Sequence, residues 1–273
     1  MKKTKKLALL LLLCILLLFF FLRLKDNHSP IVDDLVTQLE NTVVGLEVKF
    51  SFGPKVQMDV PLESQFDEPS LQNGCEITAL SMLLRYYGYH VNKNQLAKQL
   101  NYVPLKVDDT YYGDPNEGFV GNIKEGKQAM GVWSAPIKAV AEQIVGDNYT
   151  VHDEPISFTK LKKLINQSTP VWILATLELK VPSDSDFIEW PTKNGTRIVT
   201  PKIHSAVITG MHGQYFYVND PYGYKNRRVK QKDLQQIYER MGCQIIYFGE
   251  KWITRRCQNE FKTCKITNYT QYF

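Results

Sequence analysis

The chain has 273 residues, a net charge of +5, and contents of 44% hydrophobic and 12% aromatic residues. This composition excludes a disordered chain, because the apolar residues suffice to build a folded core. Five cysteines are too few for a small disulfide-stabilised scaffold. No basic stripe interleaved with aromatic residues is present, so nucleic acid is not an expected partner.

The N-terminus has the pattern of a membrane anchor. Four lysines before residue 7 precede the apolar run 7–22, which Arg23 and Lys25 follow. As a helix this run spans about 24 Å, slightly less than a bilayer core, and flanking basic side chains can snorkel. Small residues that mark a cleavage site are missing, and Cys14 follows Leu13 and not a small residue. We favour an uncleaved single-pass anchor over a cleaved signal peptide, with the remaining chain outside the cell.

Beyond this anchor the sequence changes from helical to strand patterns. Residues 25–55 are expected to form a spacer with a strand at 42–52, and residues 108–132 a long surface loop. Apolar spacing predicts helices at residues 75–87, 92–100, 135–145 and 158–166. Strands are predicted at residues 170–179, 204–211, 215–220 and 244–248. Helices followed by an antiparallel sheet predict an α+β fold.

Four of the five cysteines have simple structural interpretations. Cys14 lies in the anchor, and Cys243 lies in an apolar stretch typical of a core. Cys257 and Cys264 are close enough in sequence to close a small disulfide loop in an oxidising compartment. No pair of cysteines has zinc-ligand spacing with nearby histidines, so neither a metal nor a cofactor is expected.

The remaining cysteine, Cys75, follows Gly74 at the start of the predicted helix 75–87. A helix N-terminus stabilises a thiolate through its partial positive charge and free N–H groups. The same N–H groups can donate to an oxyanion that forms when the thiolate attacks a carbonyl. Cys75 is therefore a candidate nucleophile, and the alternative is a thiol that packs under the neighbouring loop.

A predicted hairpin supplies a base and an acid. A cysteine nucleophile needs a base, and the base needs an acceptor that orients it. If the turn is a three-residue loop, 211–213, then His204 lies directly opposite Asp220, with Cβ atoms about 5 Å apart. A two-residue loop would instead pair His204 with Pro221, and a structural His–Asp pair would have the same pattern. The other histidines lack a matched acid; these are His28, His90, His152 and His212.

Several motifs, in the same order, resemble the C39-like peptidase family of papain-like cysteine peptidases. The resemblance covers about residues 56–249 and rests on Val60-Pro61-Leu62-Glu63-Ser64-Gln65, Gly74-Cys75-Glu76, Asp114-Pro115-Asn116-Glu117-Gly118-Phe119, Pro170-Val171-Trp172 and Asn219-Asp220-Pro221. It implies a papain-like catalytic domain at residues 56–250, in which a catalytic helix packs on an antiparallel sheet. Residues 1–24 then form the cytoplasmic stub and anchor, residues 25–55 the spacer, and residues 251–273 a C-terminal tail.

The resemblance also implies a role for four residues. It makes Cys75 the nucleophile, His204 the base, Asp220 the orienting acid, and Gln65 a side-chain donor to the oxyanion beside the Cys75 N–H. We therefore expect a membrane-anchored extracytoplasmic thiol hydrolase that cleaves peptide or isopeptide bonds through a thioester. Its expected partners are a peptide or protein substrate, including cell-wall peptide, and the membrane.

The chain departs from the bacteriocin-processing members of the wider family. Those members carry Asp-Cys-Gly and a fused transporter, whereas this chain has Gly74-Cys75-Glu76 and no ATP-binding cassette. Leader-peptide processing is therefore not implied. The loop 108–132 is a candidate lid or rim of the cleft. Alternative functions are a cell-wall peptide hydrolase or transpeptidase, a non-catalytic surface binding module on the same fold, and an anchored adhesin.

Overall fold

The structure is a computed structural model that describes residues 55–126 and 128–250. The predicted anchor, the spacer with its strand at 42–52, and the tail 251–273 with Cys257 and Cys264 lie outside the described residues. Within the described ranges, none of the helices combines the length and the apolar character that a membrane span requires.

The described chain begins with short strands and helices and continues into a large sheet. Its helices are α1 (Cys75–Tyr86), α2 (Lys93–Ala97), α3 (Ser134–Val145), α4 (Phe158–Asn166) and α5 (Gln231–Arg240). Its strands are β1 (Val56–Gln57), β2 (Tyr102–Val103), β3 (Phe119–Gly121), β4 (Ala129–Gly131), β5 (Tyr149–His152), β6 (Val171–Thr176), β7 (Ile188–Thr192), β8 (Gly195–Val199), β9 (Ile203–His212), β10 (Tyr215–Asp220), β11 (Tyr224–Lys230) and β12 (Ile245–Glu250).

The main sheet supports the rest of the domain. Its strand order is β11-β10-β9-β6-β12-β5, with β1 added to β9, and its paired neighbours run antiparallel. Strand β6 is buried along its whole length, as expected for a central strand covered on both faces. The Trp172 ring N–H of β6 donates to the backbone carbonyl of Glu76 at 3.0 Å, which ties α1 to the sheet.

Helix α1 is the buried centre of the domain. Its residues from Cys75 to Leu84 are all buried, so both the inward and outward faces of the helix contact protein. It contacts α2 and α3 as well as strands β6 and β9. The predicted helix 75–87 is confirmed, with its last helical residue at Tyr86. The helix therefore fixes the position of its N-terminal residue, Cys75, relative to the sheet.

The predicted helices and strands are largely confirmed, with shifted ends. Helix α4 has the predicted bounds, and α3 begins one residue earlier than predicted. Helix α2 is shorter than the predicted 92–100, because Asn92 caps it and it ends at Ala97. The predicted strand 170–179 ends at Thr176, where a 3₁₀ turn (Leu177–Leu179) with positive φ at Glu178 and Leu179 follows.

The predicted three-residue turn of the β9–β10 hairpin is wrong. His212 pairs with Tyr215, which leaves the two-residue turn Gly213–Gln214 with a φ of 57° at Gly213. Glycine is favourable at this place because it adopts positive φ without strain. The pairing then shifts between Tyr217 and Val218, where the ladder contains a bulge. The predicted direct opposition of His204 and Asp220 is therefore also wrong.

The prediction of a long surface loop at 108–132 is wrong in part. Strands β3 and β4 lie within this segment and form a small sheet with β2. Phe119, Val120 and Met130 are buried, and a second small apolar cluster joins Val120 and Met130 to Trp190 of β7. The bidentate ion pair between Arg197 of β8 and the buried Asp114 holds this region to the β7–β8 hairpin.

Candidate active site

The N-terminus of α1 presents Cys75. Gly74 precedes it at a close approach, because a Cβ on Gly74 would lie 2.6 Å from the Cβ of Leu71. The Gly74 N–H donates to the Leu71 carbonyl, and the Leu71 N–H donates to the Gln65 carbonyl. The turn that carries Gln65 is therefore connected to the start of the helix by a chain of backbone hydrogen bonds.

His204 of β9 and Asp220 of β10 form a buried pair in the candidate site. Nε2 of His204 lies 2.7 Å from Oδ1 of Asp220, and both side chains are almost completely inaccessible to solvent. Oδ1 also accepts the Tyr222 N–H at 3.0 Å, and Oδ2 accepts from Arg227 at 2.8 Å. The Tyr222 ring contacts the imidazole edge-to-face, with the ring centroids 4.8 Å apart.

These contacts fix the charge of Asp220 and the orientation of the imidazole. Burial alone raises the pKa of Asp220, but hydrogen bonds from His204, the Tyr222 N–H and Arg227 outweigh it and hold the pKa below its ordinary value. A carboxylate at Nε2 keeps that nitrogen protonated, which leaves Nδ1 as the basic nitrogen of neutral His204. Nδ1 is buried and has no hydrogen-bond partner among the described residues.

The Cys75 thiol has a different partner from the one expected. Its Sγ lies 3.2 Å from Oε2 of the next residue, Glu76, and donates to that carboxylate. Burial, the nearby Glu76 charge and this hydrogen bond raise the pKa of the Cys75 thiol well above its ordinary value, and a backbone hydrogen bond from Ser205 opposes them. Ser205 follows His204 directly, so the thiol lies against the strand that carries the imidazole.

Gln65 is buried next to the turn that carries Asp220. Its backbone N–H donates to the Pro221 carbonyl at 2.8 Å, and its side-chain Nε2 donates to the Gln72 carbonyl at 2.6 Å. An amide nitrogen carries two hydrogens, so this bond leaves one for another acceptor. Oε1 of Gln65 is buried without a hydrogen-bond partner within the described ranges.

The structure therefore brings the four predicted residues into one connected region, and it adds others. Glu76 and Arg227 contact Cys75 and Asp220, respectively, and neither was predicted. Glu76 is the third residue of the Gly-Cys-Glu motif, and this motif was the sequence signal that could have identified Glu76 as a site residue. Arg227 lies opposite Val218 in the β10–β11 ladder, so only the pairing of those strands identifies it.

The remaining described histidines lie elsewhere. His152 of β5 pairs with Glu154 and stacks on Tyr247, and His90 is exposed. Within residues 55–126 and 128–250, His, Cys, Asp and Glu side chains form no cluster of three that would hold a metal ion. The side chains that meet at the candidate site carry a thiol, an imidazole and two carboxylates.

The chain is similar to two known proteins, one in sequence and one in sequence and fold. YvpB of Bacillus subtilis (strain 168), an uncharacterized protein, is 39% identical over 200 residues, which are 73% of this chain and 77% of YvpB. A crystal structure from Bacillus anthracis, assigned to the C39-like peptidases, has a TM-score of 0.68 and 30% identity over 73% of this chain and 99% of that chain. The family model described as the Peptidase_C39 like family matches residues 57–246. The resemblance seen in the sequence is confirmed, and the chain belongs to the C39-like peptidase family.

Proposed function

We propose that the protein is a cysteine hydrolase that cleaves peptide or isopeptide bonds, with Cys75 as nucleophile, His204 as base and Asp220 as the acid that orients His204. The observation that carries this proposal is the buried 2.7 Å contact between Nε2 of His204 and Asp220, together with an Nδ1 that has no hydrogen-bond partner among the described residues. An imidazole held in this way is prepared to accept one proton at Nδ1.

The proposed reaction has two halves. His204 Nδ1 takes the thiol proton, the Cys75 sulfur forms a bond to the substrate carbonyl carbon, and the oxygen becomes an oxyanion. The oxyanion collapses, the bond to the leaving nitrogen breaks, and His204 returns its proton to that nitrogen. Water then attacks the thioester while His204 accepts a water proton. The thiol leaves with that proton, and a carboxylic acid product is released.

Gln65 and the helix N-terminus are the proposed donors to the oxyanion. The free hydrogen on Gln65 Nε2 and the backbone N–H of Cys75 supply two hydrogen bonds where negative charge develops. The bond between Gln65 and the Gln72 carbonyl supports this role, because it fixes the amide before substrate binds. Donors that are already oriented cost no reorganisation during the reaction.

A large cavity supports a peptide as the substrate class. It has a volume of about 730 Å³, and its lining includes Met130, Trp133, Phe187, Ile198 and Ile203. Ile203 immediately precedes His204, and Met130 immediately precedes Gly131, which contacts Glu76. The cavity lining includes none of Cys75, His204, Asp220 and Gln65, so this mostly apolar cavity is proposed as a subsite for an apolar side chain of a bound peptide and not as the place of cleavage.

The proposed location is the outer face of a membrane. This proposal rests on residues 2–25, in which an apolar run lies between two basic segments. This order is typical of a single-pass anchor with its basic N-terminal end in the cytoplasm. A peptide hydrolase in this location meets surface proteins and, in a bacterium, cell-wall peptides. A transpeptidase differs only in the group that accepts the acyl thioester.

The contact between Cys75 and Glu76 favours one other candidate, a non-catalytic peptide-binding module. A thiol that donates to a carboxylate and has a raised pKa is a weak nucleophile. In such a module the cavity would bind peptide while Cys75 remained inert.

Peptide turnover distinguishes the two functions. The full chain in detergent is incubated with a pool of internally quenched peptides, and mass spectrometry identifies the products. We expect cleavage by the wild type and by the control variants Cys243→Ser and His90→Ala, and loss of cleavage in Cys75→Ser and His204→Ala. Peptide binding without turnover, equal in wild type and Cys75→Ser, would support the binding module and contradict the hydrolase.

A further inference from the structure

Glu76 is a buried acidic residue that the proposed reaction does not use. Only 1% of its surface is exposed, although acidic side chains are rarely buried without a cation. No Lys or Arg within the described residues forms an ion pair with it. Burial of such a carboxylate lowers the stability of the fold unless hydrogen bonds to the carboxylate compensate for the loss of solvation.

The protein forms a specific binding place for this carboxylate. Oε2 accepts from the Cys75 thiol at 3.2 Å, and Oε1 accepts from the Val132 N–H at 3.2 Å. Gly131 approaches so closely that a Cβ there would lie 2.3 Å from Oε1, and its φ of 81° also favours glycine. A segment 56 residues away in sequence therefore holds the carboxylate against the thiol.

The charged groups around Glu76 are few. The titratable group that faces Glu76 from its own helix is Cys75. The one that faces it from β9 is His204, and a positive charge on His204 would lower the pKa of Glu76. The β4 end supplies only the backbone of Gly131 and Val132, and β6 supplies the Trp172 ring N–H, which binds the Glu76 carbonyl. Asp220 and Arg227 lie behind His204. The carboxylate of Glu76 therefore binds the thiol in this structure, and the imidazole of His204 is the second base that faces this carboxylate.

We propose that Glu76 is a positioning residue that retains the Cys75 thiol and its proton in the resting protein, and that neutralisation of Glu76 releases the thiol to Nδ1 of His204. This inference rests on the proposed function, because it concerns the same nucleophile and base. It explains why the thiol has a hydrogen bond while Nδ1 has none within the part of the chain that the structure describes.

The two states differ by one proton from solvent. In the resting state Glu76 is a carboxylate, Cys75 is a thiol, and His204 is neutral. When Glu76 takes a proton, it no longer attracts the thiol hydrogen, and that hydrogen moves to Nδ1 to give a thiolate and an imidazolium. Burial raises the pKa of Glu76, so this change is expected at a pH above the ordinary glutamate value of about 4.3.

The direct test is the thiol titration of Glu76→Gln in the full chain. Glutamine preserves an acceptor for the Val132 N–H and removes the charge beside the thiol. The rate of Cys75 alkylation by iodoacetamide is measured against pH, and peptide mass spectrometry separates Cys75 from the other cysteines. We expect the apparent thiol pKa to fall by about one unit or more, which is about a tenfold gain in thiolate at a pH well below it.

Two further variants control this result. Glu178→Gln makes the same chemical change at an exposed glutamate that pairs with Lys180, and it should behave like the wild type. The addition of His204→Ala to Glu76→Gln should abolish the gain, because the imidazole no longer accepts the proton. An unchanged or higher thiol pKa in a folded Glu76→Gln protein, with the wild-type melting temperature, would overturn the proposal.

The wild-type chain provides a second measurement if Glu76→Gln does not fold. Thiolate absorbance in the ultraviolet should fall as pH rises through the titration of Glu76 and should rise again at alkaline pH. A single rise at or above the ordinary thiol pKa of about 8.5, with no thiolate absorbance at acidic pH, would overturn the proposal. Neither measurement requires a substrate. If the thiol pKa depends on Glu76 but no peptide is cleaved, the proposed hydrolase function is contradicted while the proposed role of Glu76 stands.

Discussion

His204 and Asp220 meet diagonally across the β9–β10 ladder. Asn219 pairs with Val207, so one further step along this register sets Asp220 opposite Ala206, two residues from His204. Residues two apart on a strand point to the same face. On the hairpin side of the bulge, Tyr217 pairs with Gly210. If that register continued without the shift, the side chains of His204 and Asp220 would point to opposite faces of the sheet. The bulge therefore brings the two side chains together.

The first prediction concerns the orientation of the imidazole. Asp220→Asn should lower kcat for peptide cleavage by about two to four orders of magnitude, because an amide no longer enforces protonation at Nε2. KM should change little, since Asp220 is buried away from solvent and from the substrate. Steady-state kinetics on a cleaved peptide measure this effect. Asp59→Asn, at an exposed carboxylate, is the control, and an equal loss in both variants would contradict the assignment.

The second prediction concerns the oxyanion. Gln65→Ala should lower kcat by about two to three orders of magnitude, because one of two oxyanion donors is removed. Alkylation of Cys75 by iodoacetamide should continue at the wild-type rate, since that reaction forms no oxyanion. The two rates measured on one protein preparation separate the effects. Loss of alkylation together with kcat would indicate that Gln65 acts through the fold of the site.

The third prediction concerns the backbone beside Glu76. Gly131→Ala should lower the free energy of unfolding by about 1–3 kcal/mol, because alanine at positive φ is strained and its Cβ meets Oε1 of Glu76. Denaturant titration measures the change. Gly126→Ala is the matched control, since Gly126 also has positive φ but nothing lies within 4 Å of its added Cβ. Equal losses in both variants would show that the contact with Glu76 contributes nothing.

The fourth prediction concerns the ion pair that holds the β7–β8 hairpin. Arg197→Met should lower the free energy of unfolding by about 1–3 kcal/mol at neutral pH, since Asp114 remains buried and loses its charged partner. Solvent screens part of this effect, because Arg197 is 28% exposed. Lys225→Met, at an exposed pair, should stay within about 0.5 kcal/mol of the wild type. Equal values for the two variants would contradict the prediction.

The same pair determines the sign of a pH effect. Burial raises the pKa of Asp114, but hydrogen bonds from Arg197, the Asn116 N–H and Asn194 outweigh it, so the pKa is lower in the folded chain than in the unfolded one. The stabilisation is therefore present above the unfolded aspartate pKa of about 3.9, and it is lost as pH falls through the folded value. Arg197→Met should reduce this acid dependence.

Local patterns sufficed to predict four of the five α-helices in the described residues. Helix α4 has its predicted bounds because Phe158, Leu161 and Ile165 recur at helical spacing, and Ser157 caps it. Helix α5 has the same kind of signal in Leu234, Ile237 and Tyr238, yet it was not predicted. The β7–β8 hairpin and strand β11 were also missed, because their apolar residues are few and their packing partners lie far away in sequence.

Cys75, His204 and Asp220 could be named as candidate site residues from the sequence, whereas the contacts between them could not be predicted from it. The start of a helix identified Cys75, and the two strand ends identified His204 and Asp220. The turn and the bulge, which decide how those strands pair, depend on backbone contacts that periodicity does not report. The contact between Cys75 and Glu76 depends on Gly131 and Val132, which approach from a distant segment.

The central claim is that His204 activates Cys75, and the pH dependence of Cys75 alkylation tests it most directly. Iodoacetamide labelling is followed site by site in the full chain, with and without His204→Ala. The account predicts labelling of the wild type below about pH 6, well under the ordinary thiol pKa, and its loss in the variant. Labelling that rises only at or above about pH 8.5 in both proteins would contradict the claim and would support an inert thiol in a binding module.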